Sequence, residues 1–194
     1  MNMKKDPISI LLRSKNMVFT FKDLSLLWNE TNANLVKKYA YRYVKLGKLH
    51  PIRRGIYAKD KNYDNLELAT KIFTPAYISF ETVLAKEGVI FQRYNQIFVA
   101  SYLTREIFCE GQAFVFRRMK EAVLLNTTGL DKKDNYHIAT KERAFLDTIY
   151  LNKSYQFDNL SSINWDECFE MISLYENKAM AIRLNSYYKV AEHA

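Results

Sequence analysis

The sequence predicts a mixed α/β (α+β) chain in two parts. Three observations carry this. All of the excess positive charge falls in the first sixty residues. In that same stretch, helical apolar spacing leads into a glycine-centred hairpin. After it, strand-like alternation mixes with helical periodicity and ends in two helical segments.

Taking the elements in order, Ile8, Leu11 and Leu12 place a helix over residues 7–15, and Val18 to Thr20 reads as a short extended segment. Thr20 is the expected N-cap of a second helix over 21–28, with Asp23 in its first turn where the helix dipole favours an acid. Phe21, Leu24, Leu27 and Trp28 give that helix one apolar face. A polar turn over 29–32 leads to a third helix, which Gly47 ends as a C-cap glycine would. At about 100° per residue, Asn34, Lys37, Lys38, Tyr41, Arg42 and Lys45 share one arc. Leu35, Val36, Tyr39, Ala40, Tyr43, Val44 and Leu46 fill the other. Leu49, Ile52, Ile56 and Tyr57 then flank an Arg53-Arg54-Gly55 turn, where glycine permits the positive φ a tight hairpin needs. Two helices joined by a short turn, followed by a hairpin, form the pattern of an N-terminal winged helix-turn-helix.

Charge gives this pattern a partner. Residues 1–60 hold thirteen basic and four acidic groups, an excess of nine, whereas the remaining 134 hold sixteen basic and seventeen acidic groups. Such asymmetry points to a polyanion, because neutralising phosphates releases counterions. The expected DNA-binding residues are Asn34, Lys37, Lys38, Tyr41, Arg42 and Lys45 on the third helix, with Arg53 and Arg54 on the hairpin. Asn pairs bidentately with adenine, Arg with guanine, and Lys with guanine or phosphate. Lys37 is assigned to phosphate and the arginines to the wing, beside the backbone or in the minor groove. The alternative for this face is an ordinary solvated, lysine-rich helix surface.

The polar stretch 60–65 is the expected boundary, giving a DNA-binding domain over 1–60 and a mixed α/β domain with C-terminal helices over 65–194. Within the latter, Leu66, Ala69, Ile72 and Phe73 predict a helix stopped by Pro75. Ser79 is the expected N-cap of a helix that ends near Gly88. Alternation predicts strands over 96–101 and 112–118, with a further strand over 135–139. Thr140 is expected to cap a helix over 141–150, and two more helices are expected over 165–175 and 178–188.

Chemistry-bearing residues in this second part have ordinary readings. Glu81 and Glu142 occupy first-turn positions, and Arg143 and Asp147 stand at i,i+4 spacing suited to an ion pair. No catalytic residue is assigned, and a nuclease using these carboxylates is the weakest function considered. His50, His137 and His193 lack metal-ligand spacing, and Cys109 and Cys168 read as buried thiols, so no metal or cofactor is expected. Phe114, Phe116, Arg117 and Arg118 read either as a base-stacking surface or as a strand with one face in the core. Apolar runs are far shorter than the roughly 20 residues of a membrane span. Residues 1–12 lack the apolar stretch of a signal peptide, so a cytoplasmic protein without a membrane partner is expected.

The segments GKLHPIRRGIYAK, YISFETVLAKEGVI (Tyr77 to Ile90), IFVAS (Ile97 to Ser101) and IATKERAFLDTIY (Ile138 to Tyr150) together resemble the AbiEi family of bacterial antitoxins, in order and across nearly the whole chain. Phe80 and Val83 depart from the small residue and alanine expected there. The resemblance implies an antitoxin of a type IV toxin-antitoxin, or abortive-infection, system. Such a protein represses its own operon by binding double-stranded operator DNA and counteracts a nucleotidyltransferase-like toxin. A stand-alone winged-helix regulator, or a protein-interaction module with no toxin partner, is the alternative.

Overall fold

The chain divides into two compact units, one running through Ile72 and the other starting at Phe73. The computed structural model describes residues 6–192, so Lys4, Lys5 and His193 lie outside the described residues. Helix and strand are mixed in both units, each around its own sheet.

The first unit contains α1 (Pro7–Arg13), β1 (Val18–Thr20), α2 (Phe21–Leu27), α3 (Ala33–Lys45), β2 (His50–Arg53), β3 (Ile56–Ala58) and α4 (Asn65–Ile72). Its antiparallel sheet has the order β1-β3-β2, with Val18 opposite Ala58 and His50 opposite the other side of Ala58. Pro51, which has no N–H to give, sits on the edge strand β2, where a missing donor is tolerated. Thr20 caps α2 as expected and does so in a full capping box. Its hydroxyl accepts from Asp23 N at 3.1 Å, and the Asp23 carboxylate accepts from Thr20 N at 2.9 Å. Burial alone would raise the Asp23 carboxyl, but the Thr20 N–H and the Lys71 ammonium, 2.9 Å away, hold it below its ordinary value.

Leu11, Phe19, Leu24, Trp28, Val36, Ala40, Tyr43 and Leu49 form the core of this unit. Each of its large aliphatic side chains contributes about 1.5–3 kcal/mol by leaving water. Trp28 meets Tyr39 edge-on at 5.9 Å and Tyr43 at 5.8 Å, and its indole N–H donates to Pro7 O, fixing α1 against α2 and α3. The polar stretch 60–65 precedes α4, and α4 is fastened within the unit by a buried acid. Glu67 accepts from Val18 N at 3.0 Å and Met17 N at 3.1 Å, satisfying the start of β1.

The second unit contains β4 (Ala76–Ile78), α5 (Glu81–Lys86), β5 (Gln96–Ser101), β6 (Arg105–Cys109), β7 (Gln112–Arg118), α6 (Glu121–Leu125), β8 (Leu130–Lys132), β9 (His137–Ala139), α7 (Lys141–Leu151), α8 (Trp165–Met171) and α9 (Lys178–Glu192). The sheet runs β6-β7-β5-β4-β9-β8, with parallel pairing of β5 to β7 and of β4 to β9. Strands β5 and β7 fall where alternation placed them, whereas β4, β6, β8 and α6 were not anticipated. Every residue of α7 from Glu142 to Ile149 is buried, because β9, α5, α8 and α9 all pack against it.

Candidate nucleic-acid interface

Two local devices fix the limits of α3. At its start the Asn32 side chain accepts from Asn34 N at 3.0 Å and Leu35 N at 3.4 Å. At its end Gly47 takes φ +64°, Gly47 N donates to Val44 O, and Lys48 N donates to Tyr43 O, which is the paired bonding of a Schellman motif. Between these ends Val36, Ala40 and Tyr43 are buried, while Asn34, Lys37, Lys38, Tyr41, Arg42 and Lys45 are all exposed. The helix therefore carries the expected polar arc on its open face.

Two residues assigned to the apolar arc belong elsewhere. Leu35 is 37% exposed and Leu46 58% exposed. Leu35 lies in the first turn, next to Asn34, where the core does not reach. Leu46 caps the helix and is turned out as the chain enters the Gly47 reversal.

Among the described residues, Lys37, Lys38, Arg42 and Lys45 have no carboxylate within ion-pair distance. Their field is therefore not cancelled locally, and it is available to an incoming anion. The Lys45 ammonium lies over the Tyr41 ring at 4.9 Å, and that ring is itself 62% exposed. The i,i+4 spacing of the two residues permits this contact. On the hairpin, Arg53 pairs with Ile56 as the last residue of β2, so the turn is Arg54-Gly55, with Gly55 at φ +78°. Arg54 is exposed. Arg53 is half-buried, and its Nη1 is buried without a hydrogen-bond partner.

The carboxylates of the second unit are engaged. Arg143 and Asp147 are fully buried and form the hub of a network. Asp147 accepts from Arg143 Nε at 3.2 Å, Tyr175 Oη at 2.7 Å, Ser79 Oγ at 2.7 Å and Tyr77 Oη at 3.0 Å. The other guanidinium nitrogens of Arg143 donate to Tyr77 Oη and to the carbonyls of Val123, Thr128 and Asn126. All five of its donors thus have acceptors. Burial pushes the Asp147 carboxyl up against the pull of Arg143 and the three hydroxyls, and it holds the Tyr77 and Tyr175 phenols neutral as donors. Ser79 is therefore not the cap of α5. Its hydroxyl is committed to Asp147, and the cap position falls to Phe80 at φ +56°, with no side-chain bond.

Glu81 pairs with Arg117: Nη2 donates to Oε1 at 2.9 Å, and Nη1 lies 2.8 Å from Oε2. The same guanidinium sits 4.9 Å from the Phe80 ring and 4.6 Å from the Phe98 ring. Glu142 accepts from Asn164 N at 3.1 Å. Phe114 and Phe116 are buried, and Phe116 packs on Phe73 at 4.9 Å, so the base-stacking surface is overturned in favour of a core face. Cys168 is buried, but Cys109, expected to be buried, is only half so because β6 is an edge strand. Among the described residues, no three His, Cys, Asp or Glu side chains gather as a metal site, and no helix is long and apolar enough to cross a membrane.

No protein-family model matches the chain, and no curated protein matches it. Tyr77 and Ser79 from one stretch of the chain, and Arg143 and Asp147 from another, meet in one buried network.

Proposed function

We propose that this protein is a DNA-binding transcriptional repressor whose first unit acts as a winged helix-turn-helix. In this reading α3 lies in the major groove and the β2–β3 hairpin is the wing. The observation that carries it is the exposure of six polar and basic residues on one face of α3, with the opposite face buried and the cations uncompensated. Asn34, Lys38, Tyr41, Arg42 and Lys45 face bases, Lys37 meets phosphate, and Arg53 and Arg54 act from the wing.

The resemblance to AbiEi antitoxins extends the proposal. The protein represses its own operon and counteracts a nucleotidyltransferase-like toxin encoded beside it. Two experiments test these parts separately. Fluorescence anisotropy of the full chain with duplex from upstream of its gene, against scrambled duplex over a salt series, tests the repressor. Tighter, steeply salt-dependent binding to the upstream duplex is expected, and equal or absent binding overturns it. Inducing the neighbouring gene with and without this chain tests the antitoxin, because growth arrest must be relieved only when the chain is present.

A further inference from the structure

A groove of about 870 Å³ opens on the second unit, between Pro75, Tyr102, Met119 and the ends of α6 and α7. Its walls include Leu124, Leu125, Tyr150 and Leu151. Three of its apolar residues are unusually open: Tyr102 is 47% exposed, Leu125 57% and Leu151 38%. Leu125 and Leu151 are the last residues of their helices, positions where a polar side chain would serve the fold equally well. Isolated exposed leucines are ordinary, but here they converge with Tyr102 on one concave surface.

Charge defines what fits. Arg118 and Lys120 line the groove, are exposed, and have no carboxylate within ion-pair distance among the described residues. Two other arginines of this unit behave differently, Arg117 being paired with Glu81 and Arg143 with Asp147. Glu121 is the single acid of the lining. The groove thus brings exposed apolar side chains together with uncompensated cations, and an occupant must present the complement.

We propose that this groove binds an acidic amphipathic segment of a partner protein, with aliphatic or aromatic side chains seated between Tyr102, Leu125 and Leu151 and carboxylates directed to Arg118 and Lys120. Charge complementarity selects this occupant over a basic or purely apolar segment. This assignment is independent of DNA binding, since it uses no residue of the first unit.

The test is a panel of short random peptides displayed on phage, selected on the full chain and counter-selected on its Leu125→Asp and Lys120→Glu variants. Both side chains are exposed, so neither change removes a core contact, and circular dichroism verifies the fold. Selected peptides are expected to interleave Asp or Glu with Leu, Phe or Ile. Their anisotropy-measured affinity should fall about tenfold or more in each variant and remain unchanged in Arg42→Ala, which separates the groove from the basic face of α3. Three results overturn the proposal: peptides that bind the variants as well as the parent, selection of basic peptides, or self-association of the chain that Leu125→Asp abolishes. The last would assign the groove to a second copy.

Discussion

Replacing Asp147 by Asn removes the charge at the centre of the second unit while keeping its shape. Four donors converge on the carboxylate: Arg143 Nε and the hydroxyls of Tyr77, Ser79 and Tyr175. The amide offers one acceptor oxygen and presents N–H groups where a carboxylate oxygen stood, so at least one of the donor pairs loses its acceptor. An unsatisfied buried donor costs about 1–3 kcal/mol, and a buried charge left without its counter-ion about 3–5 kcal/mol. These penalties overlap, so we expect a loss of about 3–5 kcal/mol, a large share of the roughly 5–15 kcal/mol that holds a domain folded. The chain carries two tryptophans, Trp28 and Trp165, one in each unit. In a Trp28→Phe background, urea unfolding followed by Trp165 fluorescence reports on the second unit. The Asp147→Asn midpoint should fall sharply with little change in slope. The double replacement Arg143→Met with Asp147→Leu should be less damaging than the sum of its parts, by a coupling of about 2 kcal/mol. A loss below about 1 kcal/mol, or strict additivity, would refute the view that this pair organises the unit.

Arg42→Ala should lower discrimination between upstream and scrambled duplex by about 1–3 kcal/mol, whereas Lys37→Ala should weaken both and reduce the salt slope by about one, as read by anisotropy. Gly129→Ala should destabilise by about 1–3 kcal/mol in urea titration, because at φ +71° an added Cβ would lie 2.6 Å from Met171 Sδ and 2.9 Å from Arg143 Cβ. Asp23 has a lowered carboxyl, so its contribution is complete above the unfolded value of about 3.9 and disappears as pH falls through the folded one. Asp23→Asn should therefore be less stable than the parent near neutral pH, with the gap closing on acidification; a constant gap would show that the capping bond, and not ionisation, matters.

How far these features were legible from the sequence depended on the range of the interactions behind them. Thr20 with Asp23, Gly47 and Gly55 act within a few residues, and their roles could be read directly. Strands β5 and β7 are long enough to show alternation, while β4 has three residues and owes its place to Val99, Ala100 and Ser101 opposite it. Ser79 illustrates the limit. Its spacing before Glu81 is that of a cap, yet its hydroxyl is taken by an acid 68 residues away, which only the order of the sheet brings near. Arg143 and Asp147 were readable as a pair from their i,i+4 spacing. Their complete burial was not, because α7 is enclosed by α8 and α9, which follow it, and by α5 and β9, which precede it. On α3 the periodicity located the polar face but misplaced Leu35 and Leu46, since a helical wheel knows nothing of where the core stops.

The grip of Glu67 on Met17 and Val18 has a consequence for how such a module can be exchanged between proteins. Composition changes near residue 60, and a recombination joint placed there would look clean by charge. It would nevertheless leave behind α4, and with it the acid that satisfies the start of β1 and the lysine that steadies Asp23 at the head of α2. The portable piece is therefore the stretch through Ile72: any new domain grafted onto it must take over after the helix, or the graft inherits an unfinished strand.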